Sequence, residues 1–312
     1  MTEELCLTLD QEALLKMNSD ELVKLARALK IPLTQRSVTR TALVGKILDI
    51  VDKNAEETFG PSEPLSDPAI DIRGLTKRFG ATIAVDDLTM TVSPGEIVGL
   101  VGPNGAGKTT TLRVVTGIIR PTKGSVSVGG HDVIRSPISA KKLIGYIPEK
   151  PTCYPNLTVR EYLMFMARIH GVSTAEAAVR MTQYQELFQL GEYLDNYVGT
   201  LSKGNLQRTL LVGIFIRRPP YVLAFDEPIY GLDPRGAWSL KAHLHELKES
   251  GSAILLSTHI LEVAQSLCDR FVIMNEGIVV GRGTLDELLT EAKGATNLEE
   301  VFLELTGGIP GR

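Results

Sequence analysis

Cysteine is scarce in this 312-residue chain: Cys6, Cys153 and Cys268 are the only three, odd in number, far apart and without a CxxC pair. Neither a disulfide framework nor a thiolate zinc cluster fits that pattern. Long apolar runs are missing as well. The best stretches, Leu210 to Ile216 and Tyr221 to Phe225, fall far short of the ~20 residues a membrane-spanning helix needs. The first residues, Met1-Thr2-Glu3-Glu4, are acidic where a signal peptide is basic. These absences lead us to expect a cytoplasmic address; any membrane part would come from another chain. A strong charge of either sign is also lacking. With 33 basic and 37 acidic residues the net charge is −4, unlike a chain that coats nucleic acid with its whole surface. The hydrophobic fraction of 43% and charged fraction of 22% support a globular core and exclude global disorder. No internal repeat is present.

The length suits one large domain and a small one. Residues 1–52 read as a small α-helical module. Ser19 is a candidate N-cap, with Asp20 and Glu21 in a first turn where the helix dipole favours acids. Leu22, Leu25, Ala26 and Leu29 share one face before Pro32 ends the helix, and a second helix from Thr39 or Thr41 would bury Leu43, Ile47 and Ile50. Residues 53–68 carry Pro61, Pro64 and Pro68 among polar residues and read as a linker. From residue 69 to 312 short β-rich runs alternate with helical stretches, an α/β pattern. The expected strands are Ile70–Leu75, Ile83–Val92, Ile97–Val101, Ser125–Val128, Leu143–Ile147, Val222–Phe225, Ala253–Leu256 and Phe271–Met274, with a hairpin at Asn275-Glu276-Gly277 into Ile278–Val280. Thr158 with Glu161, Ser173 with Glu176 and Thr284 with Glu287 read as capping boxes.

Gly102-Pro103-Asn104-Gly105-Ala106-Gly107-Lys108-Thr109 is a complete G-x-x-x-x-G-K-T, placed after an apolar strand and before a helical run. Its glycines let successive backbone N–H groups face one concavity, and the helix N-terminus adds positive potential. In such a loop Lys108 reaches the β- and γ-phosphates and the Thr109 hydroxyl ligates Mg²⁺. Much later, Val222-Leu223-Ala224-Phe225 ends in Asp226-Glu227. Carboxylates at such a strand end can hold Mg²⁺ through Asp226 and polarise an attacking water through Glu227. His259 ends another apolar strand and could donate to a γ-phosphate.

These pieces, in this order, resemble the ATPase subunit of an ABC transporter from about Ile70 onward. The resemblance implies an α/β P-loop NTPase fold with a mixed β-sheet core, an antiparallel β part and a helical subdomain at about 150–200. The cofactors it implies are ATP and Mg²⁺. Leu201-Ser202-Lys203-Gly204-Asn205-Leu206-Gln207-Arg208 occupies the place of the LSGGQ signature. By resemblance Ser202 and Gly204 serve the γ-phosphate bound to a second cassette. Gly231-Leu232-Asp233-Pro234 matches the D-loop, with Asp233 near nucleotide and capping a helix. Phe79 matches the aromatic that stacks on adenine, and Thr110 joins Thr109 among the nucleotide contacts. Glu149 stands where the family has the Q-loop glutamine, so a charge is added and a donor lost, though Mg²⁺ or water can still bind there. Lys203 and Asn205 also depart from the signature, Lys203 restricting the backbone where the family has glycine.

Pro155 to Glu161 resembles the segment on which a membrane permease subunit docks. The C-terminal extension, about 284–312, contains Asn297 to Gly307, which looks like the ending of bacterial export ATPases. The resemblance therefore implies a cassette dimer, homo- or heterodimeric, peripheral on the cytoplasmic face and powering export. Residues from about Met17 to Ile50 resemble SAP and Rho-N-type modules, several of which bind nucleic acid. Between Leu22 and Leu48 lie Lys24, Arg27, Lys30, Arg36, Arg40 and Lys46 and no acid. Nucleic acid or another polyanion is thus an alternative partner through residues 22–48, and the competing function is a soluble ABC-type ATPase acting on such a polymer. Translation-factor members carry two cassettes, whereas this chain has one. Too few residues separate Lys108 from Ser202 for the coiled coil of an SMC-type ATPase.

Overall fold

The computed structural model describes residues 64–150, 153–217, 221–292 and 294–307. The expected N-terminal module, its basic stretch and most of the linker lie outside the described residues. Two sheets organise the remainder. One is antiparallel, in the order β2-β1-β4-β5, built from β1 (Ile70–Phe79), β2 (Thr82–Val92), β4 (Lys123–Val128) and β5 (His131–Asp132). The other has the order β10-β9-β3-β8-β7-β6 and comprises β3 (Ile97–Val101), β6 (Ile144–Ile147), β7 (Val222–Asp226), β8 (Ala253–Thr258), β9 (Arg270–Asn275) and β10 (Ile278–Gly283). In this second sheet β6, β7, β8, β3 and β9 run parallel and β10 pairs antiparallel with β9.

The parallel strands are buried on both faces, which explains their near-continuous apolar sequences. Alternate residues of β7 feed different cores. Val222 and Ala224 pack with the antiparallel sheet and with α1 (Lys108–Val115), whereas Leu223 and Phe225 pack on the helical side. That side holds α3 (Val159–Ile169), α4 (Thr174–Leu187) and α5 (Lys203–Phe215), so helical packing continues past residue 200 into the signature segment. Phe188, Phe215 and Phe225 are fully buried there, and each such ring contributes about 2–3 kcal/mol relative to exposure. A third core forms where α7 (Leu261–Leu267), α8 (Leu285–Glu291) and α9 (Leu298–Leu305) cover β9. The remaining helices are α2 (Pro137–Leu143) and α6 (Pro234–Glu249).

Several local expectations change. Strand β1 runs four residues beyond Leu75, because Thr76 pairs with β4 and Lys77 to Phe79 keep pairing with β2 through register shifts that break the apolar alternation. Leu143 belongs to α2, and the strand starts at Ile144. The capping boxes at Thr158 and Thr284 are complete. At Ser173 the hydroxyl accepts from the Glu176 N–H, but the Glu176 carboxylate turns inward to Arg180 (3.3 Å). Lys203 is the first residue of α5 and exposed, so its backbone is ordinary helix and needs no glycine. The turn after β9 places Glu276 and Gly277 both at positive φ (48° and 85°), as a tight hairpin requires.

Candidate functional site

Register explains why distant motifs meet. Val101 at the end of β3 pairs with Thr258 of β8, and Asp226 of β7 pairs with Ser257. The phosphate loop, the Asp226-Glu227 pair and His259 therefore emerge at one edge of the parallel sheet, where α/β ligands bind. Glu149, beyond β6, joins the same edge. There a cavity of 580 Å³ is lined by Asn104 to Thr110, Glu149, Asp226, Glu227 and His259, with Phe79 and Ala84 from the antiparallel sheet and Tyr230 beyond β7.

The loop conformation needs its glycines. Gly102, Gly105 and Gly107 have φ of 155°, 85° and 103°. A Cβ on Gly102 would lie 2.1 Å from the Met274 carbonyl oxygen, and one on Gly107 2.5 Å from that of Ala84. Lys108 donates to the carbonyls of Gly102 (2.6 Å) and Pro103 (3.0 Å), bracing the loop from which α1 starts. Burial pulls its ammonium below the usual lysine range, while Glu227, Asp226 and Glu149 pull in the other direction. Gly102 and Pro103 do not line the cavity; they border an adjoining hollow beside Leu261 and Phe302.

Asp226 is 1% exposed. One of its oxygens accepts from the Ser257 hydroxyl, and the other, Oδ2, has no hydrogen-bond partner among the described residues. A buried carboxylate oxygen without a donor suits a cation, and the hard oxygen donors of Thr109 and Glu149 line the same cavity. The donor set fits Mg²⁺.

Glu227 adopts φ 53°, a left-handed conformation uncommon for a side chain of this size. Its N–H donates to the Ser257 carbonyl (3.0 Å). Its Oε1 accepts from the His259 N–H (2.9 Å) and Nδ1 (2.7 Å), and its Oε2 from the Thr258 hydroxyl (3.1 Å). These bonds over-determine a strained backbone, a pattern that clusters at functional sites. His259 thus engages Glu227 through Nδ1. With Nδ1 as donor, Nε2 of the neutral ring can only accept, so donation to a phosphate as well requires the imidazolium.

Phe79 lines the cavity, 51% exposed, with Lys77 Nζ 4.8 Å from the ring centroid. An exposed ring on the cavity wall is available to stack on a base.

Ser202, Gly204 and Asp233 stand apart from this cavity. Ser202 caps α5, accepting from the Asn205 N–H (3.3 Å). Asp233 caps α6 through Gly236 N–H (2.8 Å) and also takes Arg208 Nη2 (2.5 Å). A Cβ on Gly204 would meet the Gly231 carbonyl oxygen at 2.8 Å. Signature helix and D-loop are therefore packed together, and neither contributes to the lining of the phosphate cavity. Reasoning from motifs missed Ala84 and Tyr230. Tyr230 could have been found by its position three residues after Glu227; Ala84 carries no local signal.

Comparison with known proteins agrees with this geometry. The ABC transporter family matches residues 85–230. The chain is 35% identical over 239 residues to the ABC-type transporter ATP-binding protein EcsA of Bacillus subtilis, covering 76% of this chain and 96% of that protein. It is 36% identical over 230 residues to the Nod factor export ATP-binding protein I of Burkholderia lata, covering 74% and 75% respectively. A solved ATP-binding subunit of an ABC transporter superposes with a TM-score of 0.72 at 37% identity, covering 76% of this chain and 99% of that one. Sharing the cassette fold and this level of identity over most of its length, the chain belongs to the ABC transporter family as one of its ATP-binding subunits, an ATPase.

Proposed function

We propose that this subunit drives export by hydrolysing ATP between two cassettes mounted on separate membrane permease subunits. The observation that carries the reading is the single cavity uniting Lys108, Asp226 and Glu227. Among the described residues no helix is long and apolar enough to cross a membrane, in keeping with a permease on other chains. Export is favoured by the similarity to a Nod factor export protein, and by the C-terminal helix α9 that sequence reading tied to exporters.

In this reading Phe79 stacks on adenine and the loop N–H groups from Asn104 to Thr110 hold the phosphates. Lys108 supplies charge at their terminal end. Asp226, Thr109 and Glu149 would hold Mg²⁺, which when bound neutralises phosphate charge. Glu227 orients the attacking water and accepts its proton. Its Oε1 is occupied by His259, so Oε2, which holds only the Thr258 hydroxyl, keeps a lone pair for that water. Ser202 and Gly204 face the nucleotide of the second cassette.

Steady-state turnover of Glu227→Gln against wild type tests the assignment. The substitution keeps the size and removes the base, so turnover should fall about 10²–10⁴-fold with ATP binding retained. Equal turnover would remove Glu227 from the role.

A further inference from the structure

Tyr230 lies on the cavity wall three residues beyond Glu227. Its N–H donates to the Glu227 carbonyl (3.1 Å), so the turn leaving β7 sets where the side chain starts. The side chain is 62% exposed and lines the same cavity as Asn104, Lys108 and Glu227. Among the described residues its hydroxyl has no hydrogen-bond partner.

The charges of the cavity give that hydroxyl a task. Three carboxylates, Glu149, Asp226 and Glu227, line it against one ammonium, Lys108. Lys108 already donates to two carbonyls of its own loop. Glu149, ionised, offers only lone pairs, where a glutamine would bring two N–H donors. A triphosphate ends in several anionic acceptors, and beyond the donors of the phosphate loop itself the charged groups from Glu149, Asp226 and Glu227 repel it. A phenol supplies a donor without a further charge.

We propose that Tyr230 donates its phenolic O–H to the terminal phosphate of bound ATP, supplying the neutral donor that Glu149 cannot and favouring triphosphate over diphosphate. The proposal rests on the cavity being the ATP site. A hydrogen bond to a charged acceptor of this kind is worth about tenfold in affinity.

Calorimetric titration of the full chain with ADP and with the non-hydrolysable analogue adenylyl-imidodiphosphate tests it, in wild type, Tyr230→Phe and the double variant Tyr230→Phe/Glu149→Gln. Tyr230→Phe keeps the ring, so it should bind the analogue about tenfold more weakly, with ADP affinity and melting temperature unchanged. Glu149→Gln also removes a repelling charge, so, measured beside Glu149→Gln alone, its gain should be larger in the Tyr230→Phe background, where the amide replaces a missing donor. Analogue affinity unchanged in Tyr230→Phe, or lost equally for ADP, overturns the proposal. A gain no larger in that background overturns Tyr230 as the donor that Glu149 lacks. A wild-type chain that binds neither nucleotide would overturn the ATP-site reading and the proposal together. Wild-type binding with an unaffected Tyr230→Phe overturns the proposal alone.

Discussion

Gly107 has no room for a methyl group. Its φ of 103° and the 2.5 Å approach of the Ala84 carbonyl to a built Cβ act together. Gly105, at φ 85°, has open space where its Cβ would go. Backbone conformation alone costs about 1–3 kcal/mol at such positions. Gly105→Ala should therefore lower stability modestly, and Gly107→Ala should lower it further and displace the loop from β2. Thermal melts and ATP-analogue titrations of the two variants give the comparison. Equal behaviour would mean that the Ala84 contact is unimportant. At this scale the sequence was most legible, because phosphate chemistry restricts which residue can sit at each loop position. Tyr230 escaped because its only sign is its spacing from Glu227. Ala84 escaped because it reaches the cavity through β1–β2 pairing, which no local pattern records.

Helix α6 carries a buried histidine into an aromatic cluster. The His243 ring lies 4.7 Å from Phe215 and 5.2 Å from Tyr184, centroid to centroid. Its Nδ1 meets Glu246 (2.9 Å), and Nε2 has no partner among the described residues. Burial lowers its pKa, with Glu246 pulling partly back. The native state thus binds fewer protons than the unfolded chain, whose histidine titrates near 6.5. Its contribution is present above that value and lost as pH falls towards the lower native pKa. The melting temperature of wild type should drop more steeply between pH 7 and pH 5 than that of His243→Phe; parallel curves would exclude His243 as the cause. Elements were legible where burial was one-sided or complete. The two-residue strand β5 is too short to show a period, and the polar end of β1 follows its partner rather than its own alternation. Arg217 shows the same limit: no local pattern marks it as buried, yet it is, donating to the carbonyls of Ile144 (2.6 Å) in β6 and Lys142 (2.5 Å) in α2 from just beyond α5.

Across the described residues, the signature segment takes no part in the phosphate-loop cavity. Ser202 is exposed at the start of α5 and absent from the wall of the chain's own cavity, so in the proposed mechanism its nucleotide belongs to another cassette. Ser202→Arg should leave ATP binding intact and abolish ATP-driven association, read by sedimentation of the Glu227→Gln background. Normal dimerisation would reject the trans role. The family resemblance implied this division, whereas the packing of Gly204 on Gly231 and of Arg208 on Asp233 became visible only in three dimensions. One arrangement described above reaches further. The Glu227 carboxylate holds three hydrogen bonds from Thr258 and His259. A carboxylate offers about four lone-pair sites, so these bonds leave one, on Oε2, and in the proposed mechanism the water has a single place to settle. In that mechanism the strand end after β8 works as a gunsight, fixing where the water must stand for the phosphate to be cleaved.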